Sequence, residues 1–191
     1  LPAETRTRTT TYRSLAAFND PTTLAKALEE FQLPTKGWKP DGLGYIAASP
    51  YIEFGSRGTS MPNNLAYYVL GGTATRAHTV QLVLNVNNPA EVTDALAKLA
   101  QMTQVLLEKV GLPLTNDLSA EIEAGRPSEF WCQNAKVSFS KQQTKIDTFS
   151  VSIRDAASVE EEAKSAEASK PLVERCVDLI VRDLRYSRTE L

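Results

Sequence analysis

The hydrophobic and polar positions of this chain repeat one pattern twice, with two alternating strands followed by a long amphipathic helix. The first copy runs from Tyr67 to Val110 and the second from Phe130 to Tyr186. Alternation with a period of two indicates a strand with one buried side, whereas apolar residues three and four positions apart indicate a helix. The pattern therefore predicts two hairpins, each followed by a helix.

The clearest strand of the first copy lies around Thr79–Val86, where only Val83 breaks the alternation. The segment Leu65–Leu70 is rich in β-branched and aromatic residues, so it is the predicted antiparallel partner. Gly71 and Gly72 are predicted to supply the positive φ angles of the reversal. The predicted inward residues of the main strand are Val80, Leu82, Leu84 and Val86.

The second copy alternates in the same way on either side of a polar loop predicted over Lys141–Lys145. Serine, threonine, lysine and asparagine occupy the outward positions of both strands. A hairpin with one buried and one solvent-facing side is the expected result. Its predicted inward residues are Ala135, Val137 and Phe139, and then Phe149, Val151 and Ile153.

The helix of the first copy has clear end signals. Asn88 and Pro89 suit an N-cap and first helical position, and Glu91 can reach back to the cap N–H as in a capping box. Gly111 is placed to end the helix in the left-handed conformation. The helix's predicted apolar stripe consists of Val92, Leu96, Leu99, Thr103, Leu106 and Val110.

Two further helices are predicted outside this one. A short helix begins near Asp20 and Pro21 and carries Leu24, Leu28 and Phe31. The final helix carries an apolar stripe that includes Cys176 and Ile180, and a polar helical connector is predicted over residues 156–170. The nine residues expected to be most buried are Leu82, Leu84, Leu96, Leu99, Leu106, Phe149, Val151, Ile153 and Ile180.

These elements predict an α+β fold, with a mainly antiparallel sheet of about five strands in the order α-βββ-α-ββ-α. A stalk-like segment over residues 1–15 precedes a single domain over residues 16–191. The element order resembles that of secretion-chaperone-type domains, which are small, acidic and usually dimeric. The resemblance covers topology alone, and it implies a cytoplasmic dimer that holds an extended segment of a partner.

Charge and hydropathy narrow the class of partner. The 191 residues carry 21 basic and 23 acidic side chains, a formal net charge of −2, without a clustered basic surface, which disfavours nucleic acid. No apolar run approaches the roughly 20 residues that a bilayer requires, so no membrane insertion is expected within the chain. The chain starts at Leu1, so an upstream anchor or signal peptide is an open expectation, and outward Thr, Ser, Asn and Gln residues favour an exported, periplasmic setting.

The chain contains two cysteines, Cys132 in the aromatic start of a strand and Cys176 on the last helix. They are predicted either as buried thiols or as a disulfide, and the disulfide would strengthen the prediction of export. His78 is the single histidine, so a zinc site is not expected and no cofactor is predicted. His78 is either a rim residue of the sheet or a general base that acts with a loop serine or aspartate.

Two segments are candidate binding sites. The loop from Gly55 to Ser60 contains Arg57 and can bind an anion, although a mobile connection between strands is the alternative. The apolar stretch Tyr45–Phe54 is interrupted by Pro50, so it is predicted as an edge strand or as two short ones. A partner can add a strand at such an edge, with Tyr45, Tyr51, Tyr67 and Tyr68 as its anchors.

Three functions follow from these observations. The first is a non-catalytic binding or structural domain of an exported or membrane-anchored protein, with a protein partner or a second copy of the chain. The second is the cytoplasmic chaperone-like dimer. The third is a small hydrolase or transferase that uses His78, which needs a nucleophile and an orienting carboxylate beside it in space.

Overall fold

A computed structural model describes residues 15–55, 61–113 and 116–159. These residues form an eight-stranded antiparallel sheet with helices, which confirms the α+β class and adds three strands to the predicted five. The strands are β1 (Lys39–Pro40), β2 (Tyr45–Ala48), β3 (Ile52–Phe54), β4 (Asn63–Gly71), β5 (Thr79–Val86), β6 (Ser128–Cys132), β7 (Ala135–Gln143) and β8 (Asp147–Asp155). The helices are α1 (Pro21–Ala25), α2 (Val92–Val110) and α3 (Asn116–Glu123).

The chain divides into two compact units, residues 1–157 and residues 158–191. Residues 156–159 are helical, whereas the rest of the predicted connector lies outside the described residues. The predicted final helix, with Cys176 and Ile180, also lies outside them, as does the stalk-like segment up to residue 14. All eight strands and the helices α1–α3 belong to the first unit.

The sheet has the strand order β1-β2-β4-β5-β8-β7-β6, with β3 paired to β4 beside β2. The two predicted hairpins, β4–β5 and β7–β8, join through the antiparallel pair of β5 and β8. Pro50 separates β2 from β3, which confirms the prediction of two short strands over Tyr45–Phe54. The outer edge of β2 is occupied, because β1 pairs with it and Lys36 N donates to Ala48 O at 3.0 Å. Strand addition at β2 is therefore blocked.

The core lies between one side of the sheet and the helices. Leu82 of β5 lies opposite Tyr67 on one neighbouring strand and Val151 on the other, so apolar side chains form continuous rows across the sheet. The eight described residues of the predicted core are at most 5% exposed, which confirms that prediction. They are Leu82, Leu84, Leu96, Leu99, Leu106, Phe149, Val151 and Ile153.

The ends of α2 follow the sequence signals in part. Gly111 adopts φ +79°, and Leu112 N donates to Leu107 O at 2.8 Å, which is the expected left-handed C-terminal cap. The Asn88 side chain accepts from Ala90 N, but a 3-10 turn over Pro89–Glu91 precedes the α-helix. Asn88 N donates to Asn63 Oδ1 at 2.9 Å, so a side chain of β4 accepts from the N–H that the predicted capping box assigned to Glu91.

Two predicted turns differ from the structure. Gly71 belongs to β4, and neither it nor Gly72 has a positive φ. A Cβ on Gly71 would overlap the carbonyl oxygen of Arg76, so this glycine permits a close backbone approach. The predicted loop over Lys141–Lys145 is wrong for its first three residues, because β7 continues to Gln143 and pairs there with Asp147.

Two elements were not predicted from the sequence, and one residue lies elsewhere than predicted. Strand β6 pairs with β7 as a separate strand, and helix α3 was not predicted. Phe31 is 36% exposed and lies in a 3-10 turn, because α1 ends at Ala25 before its stripe could reach that residue.

The buried carboxylate of Asp155 forms an ion pair with one part of the described chain and a hydrogen bond with another. Asp155 is fully buried, and its Oδ2 accepts from Arg76 Nη2 at 2.6 Å. Its second oxygen, Oδ1, accepts from the backbone N–H of Leu15 at 3.1 Å. One carboxylate therefore connects Leu15, the β4–β5 connection and the end of β8.

Candidate binding face of the sheet

The side of the sheet away from the core carries uncharged polar residues across four adjacent strands. Each of these residues is at least partly exposed, and the residues that alternate with them are buried except near the β7–β8 turn, where Lys141 and Gln143 are exposed. We call this surface the polar face and define it by Asn64 and Tyr68 of β4, Gln81 and Asn85 of β5, Thr148, Ser150 and Ser152 of β8, and Ser138, Ser140 and Gln142 of β7.

The side chains of the polar face are hydrogen-bonded to one another across the strands. Ser138 Oγ and Ser152 Oγ are 2.9 Å apart, and Ser140 Oγ and Ser150 Oγ are also 2.9 Å apart. Both pairs lie directly opposite each other in the β7–β8 register. Such cross-strand contacts hold short side chains in fixed positions.

A second chain of hydrogen bonds runs along the other end of the polar face. Thr148 Oγ1 donates to Asn85 Oδ1 at 3.0 Å, and Asn85 Nδ2 donates to Asn64 Oδ1 at 2.9 Å. Each of these groups has more hydrogen-bonding capacity than these contacts use. The polar face therefore presents ordered donors and acceptors to solvent.

Two of the predicted anchors meet at one side of the polar face. Tyr68 Oη donates to Tyr51 Oη at 3.2 Å, and Tyr51 is 49% exposed. Burial, and then the hydrogen bond to Tyr51, raises the pKa of Tyr68 to about 12. The Tyr68 hydroxyl is consequently neutral at physiological pH and remains a hydrogen-bond donor.

The other two predicted tyrosines lie elsewhere. Tyr67 is fully buried, its Oη donates to Leu24 O at 2.9 Å, and burial raises its pKa. The prediction that Tyr67 anchors a partner is therefore wrong, because it belongs to the core. Tyr45 stacks on Trp38 with ring centroids 5.7 Å apart, on the core side of β2.

The far corner of the polar face contains an aromatic residue beside charges. Trp131 of β6 is 57% exposed and lies opposite Lys136, which in turn lies opposite Arg154. Lys136 Nζ forms an ion pair with Glu129 Oε1 at 2.9 Å. Charged residues therefore flank the polar face on both sides, since Glu129 lies opposite Ser138 here and the exposed Glu53 lies opposite Asn64 at the β3 side.

His78 immediately precedes β5 and is half-buried. Its Nδ1 lies 2.9 Å from Thr79 Oγ1, while its backbone N and O bond to Leu70 and Asp155. Among the cavities formed by described residues, one of about 400 Å³ lies beside α1 and one of about 370 Å³ lies beside the β7–β8 turn. His78 lines neither of them, and its catalytic role stays a prediction.

The remaining candidate residues are only partly described. Arg57 lies outside the described residues, so its anion site stays a prediction.

Within residues 15–55, 61–113 and 116–159, no three His, Cys, Asp or Glu side chains are grouped so that they could hold a metal ion. Among those same residues, no helix has both the length and the apolarity needed to cross a bilayer.

Cys132 is half-buried, with its Sγ 4.0 Å from the carbonyl oxygen of Pro113. Its pairing with Cys176 is tested by alkylation of the denatured chain without reductant. If the protein is exported and oxidised, we expect no modification until a reductant exposes two thiols. Two modifications without reductant would exclude the disulfide.

The fold and the polar face define an α+β sheet domain with a broad, uncharged surface. The chain belongs to a family of unknown function, DUF6030, whose profile matches residues 1–175. No curated protein and no solved structure matches the chain.

The alternation in the sequence placed most polar-face residues of β5, β7 and β8 on outward sides but did not bring them together, and Gln142 was assigned to a loop. Their assembly depends on the pairing of β5 with β8, two strands 60 or more positions apart in the chain. A sequence signal did exist, since Thr148, Ser150 and Ser152 are outward residues without a single charge.

Proposed function

We propose that this chain is a non-catalytic binding domain that holds its partner on the polar face. The observation that carries the proposal is the row of ordered, uncharged and partly exposed side chains across β4, β5, β8 and β7. A sheet surface that serves only solubility is ordinarily rich in lysine and glutamate, which also prevent association. A broad surface without these charges is better suited to contact with a ligand.

A binding function makes the smaller demand on the side chains of the described residues. Catalysis needs a positioned nucleophile, acid or base, whereas binding needs only a complementary surface. The exported, periplasmic setting is part of the proposal, and the many Ser, Thr, Asn and Gln side chains of the polar face support it. A protein partner and a second copy of the chain are candidate occupants of that surface.

Gln81 lies on β5, one of the two inner strands of the polar face, so Gln81→Arg tests the proposal. We expect the variant to lose about tenfold or more of its affinity for any ligand that the full chain retains, because an arginine there adds bulk and an unpaired charge. Tyr51→Ala should weaken retention of the ligand, because it removes an exposed aromatic ring from the side of the polar face. Ligand retention on the immobilised chain, followed by a titration, measures both effects.

Gln101→Arg is the matched control, because Gln101 is exposed on α2 on the other side of the domain. It should leave retention unchanged, and thermal unfolding should show that all variants fold. Equal retention by Gln81→Arg and Gln101→Arg would show that the polar face is not the binding surface. If His78→Ala abolishes a measured turnover, the enzymatic hypothesis replaces the proposal.

A further inference from the structure

We infer that the ligand of the polar face is a neutral glycan chain several sugar residues long. The inference rests on the proposed binding function and specifies its ligand class. It follows from the charge of the polar face, from its shortage of large apolar residues, and from the chemistry and spacing of its side chains.

The charge of the polar face disfavours ionic ligands. Tyr68, Gln81, Ser152 and Ser138 form one uncharged row across four strands, and a parallel row from Asn64 to Gln142 is equally uncharged. Nucleic acids, acidic peptides and anionic lipid surfaces gain most of their affinity from paired opposite charges. The two rows themselves offer no such charge. The charged residues beside them are of both signs, with Glu53 opposite Asn64, Glu129 opposite Ser138, and Lys136 and Arg154 in the next row. They form no surface of a single sign, so a neutral ligand fits the uncharged rows best.

The scarcity of large apolar side chains disfavours a protein partner. The buried centre of a protein interface is ordinarily built from aromatic residues, methionine and aliphatic side chains. The middle of the polar face contains Val83 and the small Ala66, which is itself fully buried between its neighbours. An amphipathic helix laid across this surface would bury hydroxyls and amides against its apolar stripe, at a cost in unpaired polar groups.

The side chains of the polar face match sugar hydroxyls in their hydrogen bonding. A hydroxyl both donates and accepts, as do the hydroxyls of Ser138 and Ser152 and the amides of Gln81 and Asn85. The cross-strand bonds of 2.9–3.0 Å already fix several of these side chains. Little rotamer freedom is therefore lost on binding, which favours affinity for a ligand that gains only modest energy from each contact.

Aromatic rings lie at both sides of the polar face, with Tyr51 and Trp131 exposed and Tyr68 partly exposed. Tyr51 and Tyr68 lie by β4, and Trp131 lies on β6, four strand intervals away. At roughly 4.8 Å per interval, the two sides are about 19 Å apart. An aromatic ring presents a flat apolar surface that suits the C–H face of a sugar. This spacing favours a chain of several sugars over a single one.

The inference is tested by calorimetric titration of the full chain with the tetrasaccharides of cellulose, amylose, mannan and chitin, and with the matching disaccharides. A heparin tetrasaccharide serves as the anionic probe. We expect at least one neutral tetrasaccharide to bind about tenfold or more tightly than its disaccharide, with little dependence on salt. Tyr51→Ala and Gln81→Arg should each weaken that binding about tenfold or more, while Gln101→Arg should not.

Failure of all four neutral tetrasaccharides to bind would overturn the inference, as would binding that is confined to heparin and lost at high salt. If neutral glycans fail while a protein is retained by the wild-type chain and by Gln101→Arg but not by Gln81→Arg, the binding function stands and the glycan is excluded. If Gln81→Arg retains every ligand as well as Gln101→Arg does, both proposals fail.

Discussion

Leu99→Ala is expected to lower the free energy of unfolding by about 2–5 kcal/mol, the range for a leucine removed from a packed core. Leu99 lies near the middle of α2 and is fully buried in the core between that helix and the sheet. The loss combines the apolar area returned to water with the cavity that the sheet and helix cannot close. Urea unfolding followed by circular dichroism measures it.

Leu43→Ala is the matched control, because Leu43 is 99% exposed in the turn before β2. The same truncation there should change the free energy of unfolding by no more than about 0.5 kcal/mol. A similarly small loss for Leu99→Ala would mean that the core-facing side of α2 has been assigned wrongly.

Asp155→Ala is expected to cost about 3 kcal/mol, since removing one member of a buried pair leaves the other without its counter-charge. The variant also removes the acceptor of the Leu15 N–H. The Arg76 side chain is 35% exposed, so water solvates part of its charge. The expected loss of stability therefore falls at the lower end of the range for buried ion pairs. Urea unfolding again gives the value.

Asp147→Ala provides the comparison, because Asp147 forms an ion pair with Lys141 in which both side chains are 27–32% exposed. Its removal should cost less than about 1 kcal/mol. The stability cost of Asp155→Asn should fall between those of Asp155→Ala and Asp147→Ala. The amide oxygen can still accept from Leu15 N, although the charge is lost. Equal costs for the two aspartates would contradict the structural role assigned to Asp155.

The secondary structure was largely predictable where the pattern was long. Strands β5 and β8 alternate over eight or nine residues, and α2 carries its stripe through five turns with a glycine at the end. Helix α3 has only Leu118 and Ile122 to mark its buried side, which is too short a signal. Strand β6 was interpreted as the start of β7. Its outward Trp131 is large and apolar, which obscures the alternation of polar and apolar residues.

The candidate site was predictable only in part. Tyr67 shares its parity with Leu65 and Val69, so strand geometry alone places it in the core, and Tyr68 on the opposite side. Both were predicted as anchors on the basis of residue type rather than of position in the strand. The meeting of Tyr68 with Tyr51, and of β5 with β8, depends on long-range pairing that local patterns do not encode.

The hydrogen bond from Leu15 N to Asp155 Oδ1 holds the two ends of the sheet domain, residues 15 and 155, next to each other. Because its two ends are adjacent, the domain has the geometry needed for insertion into a loop of another protein. For the same reason, its two ends can be joined by a short linker and new termini opened at the fully exposed Leu43. The rearranged chain would keep the sheet intact and carry the polar face to a chosen orientation on a fusion partner.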